Sequence, residues 1–169
     1  MELKKRITPE VETLLNERIK NEYISAMIYE VMSNWCDCYG FYKAKDKYRK
    51  YHDEELTHAR RLTDYVIDRN GIVKTGVIPE QPSEYKSLLD VVVKSYEHEI
   101  TITDAYNKLS KQVLTTGDMV TLTELNWFTH EQIEEESKFA DAIILANRLG
   151  LTDTSVGIEW FKLEDFISS

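Results

Sequence analysis

Apolar residues recur along the chain at intervals of three and four positions, which is the period of an amphipathic α-helix. Glycine and proline are scarce, and they separate periodic stretches of roughly thirty residues, a length that is too great for strands. The pattern predicts an all-α protein, and the predicted helices span 9–38, 41–70, 84–115, 118–149 and a short final stretch at 157–167.

The residues at the predicted helix ends agree with these boundaries. Side chains that cap helix N-termini stand at the predicted starts, namely Thr8, Asp118 and either Ser83 or Ser87. Gly71 and Gly150 fit the left-handed position that ends many helices. The segment 71–82 is the one long predicted loop, so we expect it to be a crossover between the second and third helices rather than a hairpin turn.

Length and charge limit the possible partners. A chain of 169 residues is the size of one domain, so we expect a single domain over 1–169. The net charge of −9 argues against nucleic acid or an anionic membrane as a partner. No apolar stretch approaches the length of a membrane span, and no signal-peptide core follows Met1. We therefore expect a soluble, cytoplasmic protein, with Cys36 and Cys38 as reduced thiols.

Polar residues interrupt the middle of each long apolar stripe, and they repeat along the chain. The second helical hairpin repeats the first with a constant offset of 77 positions. The pairs are Glu22 and Glu99, Tyr29 and Tyr106, Gly40 and Gly117, Glu54 and Glu131, Glu55 and Gln132, and His58 and Glu135. Such a repeat is typical of a pseudo-two-fold four-helix bundle.

The interrupting residues stand near the midpoint of each predicted helix, so we expect them to converge on one central pocket. The set consists of Glu22, Glu55, His58, Glu99, Gln132 and Glu135. No lysine or arginine stands in the central part of the four stripes, so only a cation or protons would make such a carboxylate cluster tolerable. Glutamates from two helices and Glu-x-x-His from others are the ligand set of di-iron and di-manganese bundles.

The spacing of these residues indicates how they would bind metal, and their chemistry indicates which metal. Glu55 and His58 are three residues apart and share a helix face, so Glu55 can bridge two metals while His58 binds one. Oxygen-rich ligation with a single imidazole favours iron or manganese over a structural zinc site.

Four motifs make the chain resemble the non-haem ferritins of bacteria and archaea. They are LNERIKNEYISAMIYEVMSNW around Glu22, HDEELTHARRLTDY around Glu55 and His58, YEHE ending at Glu99, and LNWFTHEQIEEES around Gln132 and Glu135. The resemblance implies a ferritin-like four-helix bundle with a long crossover between helices 2 and 3 and a short fifth C-terminal helix. It also implies a hollow shell of 24 subunits that oxidises Fe(II) with dioxygen or peroxide and stores the ferric mineral.

The resemblance assigns roles to individual residues. Glu22, Glu55 and His58 would form the first iron site. Glu55 as a bridge, Glu99 and Glu135 would form the second, with Gln132 beside it. A third iron site would consist of Glu54, Glu131 and Glu134, for which a solvated acidic helix face is the alternative. Tyr29 occupies the position of the family tyrosine near the di-iron pair, where it supplies an electron.

Three alternatives differ from this interpretation at specific positions. A bacterioferritin has a second Glu-x-x-His on its fourth helix and a haem-ligating methionine where Leu56 stands, so no haem is expected here. A rubrerythrin-like peroxidase would carry a Cys-x-x-Cys pair for a rubredoxin centre, which this sequence lacks. A metal-free helical interaction module would leave the register of the mid-stripe carboxylates unexplained.

Overall fold

A computed structural model describes residues 4–169, which form five α-helices and no strand. The helices are α1 (Pro9–Cys38), α2 (Tyr42–Asp68), α3 (Leu88–Thr116), α4 (Met119–Arg148) and α5 (Glu159–Ser168). None of the helices in this part of the chain is both long enough and apolar enough to cross a membrane.

Side-chain caps stand at the starts of α1, α3 and α4. Thr8 and Asp118 each accept a hydrogen bond from the backbone N–H three residues further on, as the sequence predicts. Of the two candidate caps for α3, Ser87 is the one used, and its Oγ accepts from the backbone N–H of Asp90 at 3.1 Å. The third helix therefore begins at Leu88 and not at position 84, because Ser87 supplies the cap.

The helix C-termini follow the prediction at one glycine and depart from it at another. Gly150 has a left-handed φ of 69° directly after the cap of α4. After α2 the left-handed residue is Asn70, with φ of 56°, so the prediction for Gly71 is wrong. Glycine is needed at position 71 because there is no room for a side chain. A Cβ there would lie 2.8 Å from Cγ1 of Val66 and 2.9 Å from its carbonyl oxygen.

The chain divides into two compact units, and the first consists of the chain up to Val31 together with Tyr48–Pro82. Within it, α1 and α2 are antiparallel, because contacts near the end of α1 involve early residues of α2 and mid-helix contacts involve later ones. The ring of Tyr29 lies 5.6 Å from that of Tyr51, whereas Glu22 lies beside His58. This arrangement places the middles of the two helices side by side.

The non-helical segment that follows α2 runs along α1 in the same direction as that helix. Its contacts advance in register: Ile72 with Glu12, Lys74 with Asn16, and Gly76 with Lys20. The backbone N–H of Ile72 and of Lys74 donate to side chains of α1, which satisfies amide groups that no helix or strand would pair. This course confirms the predicted crossover.

The second unit consists of Met32–Lys47 and Ser83–Ser169. In this unit α3 and α4 are antiparallel, and the ring of Tyr106 stacks on that of Phe128 with centroids 5.0 Å apart. Aromatic rings also join the turn after α1 to α5, since Phe41 lies edge-on to Trp160 at 6.4 Å. These contacts attach the short C-terminal helix to the first interhelical turn.

The 77-residue repeat is visible in the structure as repeated conformations and contacts. The turns between α1 and α2 and between α3 and α4 each contain a glycine with positive φ, Gly40 at 83° and Gly117 at 73°. The ring pair of Tyr29 and Tyr51 recurs 77 positions later as Tyr106 and Phe128. The two hairpins therefore share local packing as well as sequence register.

Candidate metal centre

A group of three metal-ligating side chains is buried in the first unit. Glu22 projects from α1, and Glu55 and His58 project from α2, with exposed fractions of 1%, 3% and 7%. One ligand atom from each residue lies within 4.8 Å of the others. The Nδ1 atom of His58 is 3.3 Å from Oε2 of Glu55 and 3.8 Å from Oε2 of Glu22.

Helix geometry accounts for this grouping. Residues three positions apart on a helix are neighbours on one face, which brings Glu55 and His58 together. The antiparallel packing of α1 against α2 adds Glu22 from the opposite side. Because a buried carboxylate without a positive partner costs several kcal/mol, two carboxylates in one buried site require compensation. Two carboxylates and an imidazole are suitable ligands for a divalent ion such as Fe(II).

Part of the compensation comes from Arg18, which the sequence analysis missed. The side chain of Arg18 is 5% exposed, and its Nε lies 2.7 Å from Oε1 of Glu22. The expectation that no basic residue would neutralise the cluster is therefore wrong. The signal was present in the sequence, because Arg18 precedes Glu22 by four positions and so lies on the same helix face.

Two further predicted ligands meet in the second unit. Glu99 on α3 is fully buried, and Gln132 on α4 is 4% exposed. The amide Nε2 of Gln132 donates to Oε2 of Glu99 at 2.9 Å. With its nitrogen used in this way, the amide of Gln132 retains its carbonyl oxygen as the atom suited to a cation.

Glu135 lies one helical turn beyond Gln132 and is buried in the same unit. Its carboxylate forms an ion pair with Lys138, three residues further along α4. Lys138 is thus a second basic partner that the sequence analysis did not identify, although its spacing from Glu135 is typical of a helical ion pair.

The predicted third iron site contains more exposed residues. Glu54, in the first unit, and Glu134, in the second, are exposed, whereas Glu131 is half-buried. This site stays a prediction. Tyr29 is buried in the first unit, where its ring lies 6.0 Å from that of Tyr48.

A family model for the ferritin-like domain matches residues 12–149. The chain belongs to the ferritin family. The helical architecture is accordingly that of the all-α ferritin-like bundle, with a short fifth helix at the C-terminus. This family has four long helices, which correspond here to α1–α4.

Individual ferritins resemble the chain over most of its length. A bacterial non-haem ferritin of Escherichia coli O157:H7 is 34% identical over 147 residues, which cover 85% of this chain and 89% of that protein. The bacterial non-haem ferritin of Campylobacter jejuni is 37% identical over 133 residues, which cover 79% of this chain and 80% of that protein.

Solved ferritin structures extend the likeness to the whole fold. The open-pore ferritin of the hyperthermophilic archaeon Archaeoglobus fulgidus superimposes with a TM-score of 0.89 at 30% identity. The match covers 96% of this chain and 98% of that one. The similarity therefore includes the region after residue 149, where α5 lies.

Proposed function

We propose that this ferritin-family protein stores iron and that it oxidises Fe(II) with dioxygen at a di-iron centre inside each subunit. The observation that carries the proposal is the buried group of Glu22, Glu55 and His58, whose ligand atoms lie within 4.8 Å of one another. Family membership supports it, since the matched relatives are named as bacterial non-haem ferritins.

The proposed reaction takes one electron from each of two Fe(II) ions. In the balanced step, two Fe(II), one dioxygen and two protons give two Fe(III) and one hydrogen peroxide. In a second step, the peroxide and two protons oxidise a further two Fe(II) ions to give two Fe(III) and two water molecules. The protein supplies carboxylate and imidazole ligands that position the ions and neutralise their charge, while iron supplies the redox chemistry.

The assignment of residues to the two iron positions is part of the proposal. Glu22 and His58 hold the first ion, and Glu55 bridges to the second. The second ion is held by Glu99 and Glu135, with Gln132 beside them. The hydrogen bond from Gln132 to Glu99 supports this assignment, because it brings two of these side chains together in a buried environment.

Two additional roles follow from the resemblance to non-haem ferritins. Glu54, Glu131 and Glu134 form a third iron site next to the di-iron pair, and Tyr29 supplies an electron during oxidation. The ferric product enters the cavity of a homo-oligomeric shell of 24 subunits. Acidic side chains attract Fe(II) to that shell, in agreement with the net charge of −9.

The proposal is tested by following aerobic Fe(II) oxidation optically in the wild type and in two matched histidine variants. His58→Ala removes a proposed ligand, so we expect the initial rate of Fe(II) oxidation to fall by about 100-fold. Loss of a residue that only supports a metal ligand already costs roughly 10- to 100-fold. His52→Ala is the control, because His52 lies on the same helix but contacts the exposed Asp53. We expect this variant to oxidise iron at the wild-type rate.

Storage and assembly are measured on the same preparations. We expect light scattering to give a mass near twenty-four times the 19.8 kDa of the chain, and we expect soluble iron far in excess of two ions per chain after oxidation. A Glu22→Ala, Glu55→Ala double variant that oxidises iron as fast as the wild type would contradict the ferroxidase assignment. A small oligomer that retains no mineral would favour a rubrerythrin-like oxidoreductase instead.

A further inference from the structure

A chain of hydrogen bonds joins α3 to α4 beside the buried carboxylate of Glu99. The amide Nε2 of Gln132 donates to Oε2 of Glu99 at 2.9 Å. The same nitrogen makes two longer contacts, with the backbone oxygen of Glu99 at 3.4 Å and with Oγ1 of Thr103 at 3.5 Å. The hydroxyl of Thr103 donates in turn to Oε1 of Glu136 at 2.5 Å. The chain crosses between the two helices at each step and connects Glu99 with Glu136.

Helix spacing accounts for the meeting of these four side chains. Glu99 and Thr103 are four residues apart on α3, so they share a helix face. Gln132 and Glu136 have the same spacing on α4. Both helices belong to the second unit, where their antiparallel packing brings the two faces together. The network is therefore a feature of the α3–α4 hairpin alone.

Burial changes along the chain of hydrogen bonds. Glu99 is fully buried and Gln132 is 4% exposed, whereas Thr103 and Glu136 are half-buried. Gln132, Thr103 and Glu136 line a groove of about 330 Å³ between α3 and α4. Gln132 thus lies between this groove and Glu99, and the other two side chains contact it or each other from the groove side.

The chemistry of Glu136 determines the direction of the hydrogen bonds. A carboxylate only accepts, so Glu136 takes the single hydroxyl proton of Thr103 and leaves the oxygen of Thr103 as an acceptor. Glu99 also presents an acceptor to the amide of Gln132. A flipped amide would place its carbonyl oxygen against both acceptors. The amide is therefore held from two sides, with its nitrogen toward Glu99 and Thr103.

We infer that Thr103 and Glu136 are positioning residues for the second iron position. They hold the amide of Gln132 in the orientation in which its nitrogen fixes the carboxylate of Glu99 and its carbonyl oxygen is turned away from Glu99. Groups that orient a metal ligand typically change metal affinity by about 10- to 100-fold. The inference rests on the proposed function, because that proposal assigns Glu99 to the second ion.

The first test is calorimetric titration of the assembled protein with Zn(II), which is redox-inert. The binding event that disappears in Glu99→Ala identifies the ion at the second position. Thr103→Val keeps the shape of the side chain but removes the hydroxyl, so we expect it to bind this ion at least about tenfold more weakly than the wild type does. Thr103→Ser retains a hydroxyl and should bind the ion nearly as tightly as the wild type.

A second threonine in the same groove provides the matched control. Thr129 is also half-buried and lines the groove, but its hydroxyl donates to the backbone oxygen of Asn126 at 2.9 Å. Thr129→Val therefore removes the same atom from the same groove without touching the network. We expect its affinity for Zn(II) to equal that of the wild type.

Variants of Glu136 separate hydrogen bonding from charge. Glu136→Gln removes the charge but keeps an oxygen that can accept from Thr103, whereas Glu136→Leu removes both. We expect Glu136→Gln to bind the second ion as the wild type does and Glu136→Leu to bind it as weakly as Thr103→Val. The double variant Thr103→Val, Glu136→Leu should lose no more affinity than either single variant, because residues in one hydrogen-bond network are not additive.

The second test uses Co(II), whose visible absorption depends on the number and geometry of its ligands. A general loss of stability would not change that spectrum in a protein that remains folded. We expect the absorption of the ion that depends on Glu99 to change in Thr103→Val and to return to the wild-type form in Thr103→Ser.

The outcomes separate the inference from the proposed function. If Glu99→Ala binds as many Zn(II) ions as the wild type, the second iron position is wrongly assigned, and the inference fails with that assignment. If Glu99→Ala loses an ion but Thr103→Val binds both ions normally, only the inference is wrong. Equal weakening in Glu136→Gln and Glu136→Leu would attribute the effect to charge and would also contradict the inference. If Thr103→Val does not assemble, the two Glu136 variants decide.

Discussion

The side-chain carboxylate of Glu164 accepts a hydrogen bond from the backbone N–H of Lys43 at 2.8 Å. The same oxygen also lies 3.2 Å from the backbone nitrogen of Ala44. Both donors belong to the first turn of α2, whose amide groups have no partner within the helix. A residue of α5 therefore caps the N-terminus of a helix that lies about 120 positions earlier in the sequence, and it does so while buried.

Removal of this cap should loosen the start of α2. We expect Glu164→Ala to lower the local stability by about 2–3 kcal/mol, because two backbone N–H groups, of which that of Ala44 is buried, lose a charged acceptor. Hydrogen exchange of the amides in the first turn of α2 should accelerate accordingly. Asp165→Asn is the control, since Asp165 pairs with Lys43 Nζ on the surface, where ion pairs contribute little. Unchanged exchange in Glu164→Ala would contradict the capping role.

The close packing around Gly71 predicts a second effect on stability. A methyl group added in Gly71→Ala would meet both Cγ1 and the backbone oxygen of Val66 at less than 3 Å. We expect a loss of about 1–3 kcal/mol, which a lower midpoint of thermal unfolding would reveal. Gly76→Ala is the comparison, because its new methyl group meets the flexible side chain of Lys20, which can move. Equal losses in the two variants would show that backbone proximity is not the cause.

The contact between Gln132 and Glu99 predicts a metal-dependent change in stability. In Gln132→Glu, a carboxylate replaces the amide that donates to Glu99, so two buried like charges face each other. We expect the chelator-treated variant to unfold at a lower temperature than the wild type, by the equivalent of about 1–3 kcal/mol. Zn(II) should then raise its unfolding temperature more than it raises that of the wild type.

A glutamine elsewhere on the helices serves as the control for this experiment. Gln112 is half-buried near the end of α3, away from the predicted ligands. We expect Gln112→Glu to change the unfolding temperature little. Zn(II) should raise the unfolding temperature of this variant by the same amount as that of the wild type. If Zn(II) did not raise the unfolding temperature of Gln132→Glu more than that of the wild type, no metal would bind beside Glu99.

The two cysteines should differ in reactivity and in their effect on stability at high pH. Both are free; Cys38 is exposed, and Cys36 is buried. Burial, with a smaller contribution from the charge of Glu164, raises the pKa of the Cys36 thiol to about 12. At pH 8 we expect a thiol reagent to label one cysteine per native chain and two after unfolding, and Cys38→Ser should abolish native labelling.

The raised pKa of Cys36 also has a consequence for unfolding in alkali. The folded state keeps the proton, whereas the unfolded thiol loses it above its ordinary pKa of about 9. The contribution of this thiol is thus intact below pH 9 and is lost as the pH rises toward 12. We expect Cys36→Ala to weaken the dependence of unfolding on pH in that range. An unchanged dependence would contradict the assignment.

The positions that sequence periodicity predicts well are those determined by one helix or one hairpin. The grouping of Glu22, Glu55 and His58 follows from residue spacing and from antiparallel packing, so a stripe of apolar residues interrupted by polar ones is sufficient to find it. Capping preferences within one helix likewise limit the predicted cap of α3 to Ser83 or Ser87. The spacing of four positions between Arg18 and Glu22 also predicts their contact, although Arg18 lies beside the apolar stripe of α1 and not in it.

Contacts between distant segments could not be predicted in this way. Nothing in the sequence near Lys43 indicates that its amide is capped by Glu164, because that contact depends on where α5 packs. The environment of Gly71 is a different case, since a side chain there would meet Val66, only five positions earlier, and Glu12 of α1 adds a distant contact at 3.0 Å.

The repeated ring contact provides an internal comparison of oxidisable side chains. In the first unit, Tyr29 meets Tyr51, whereas at the equivalent position of the second repeat Tyr106 stacks on Phe128. Tyr48 likewise corresponds to Leu125 when the offset of 77 is applied. One hairpin thus carries three clustered phenols, and its counterpart carries one. The second repeat thus has a phenylalanine and a leucine where the first has Tyr51 and Tyr48, so the phenols that could transfer a single electron are concentrated in the first hairpin.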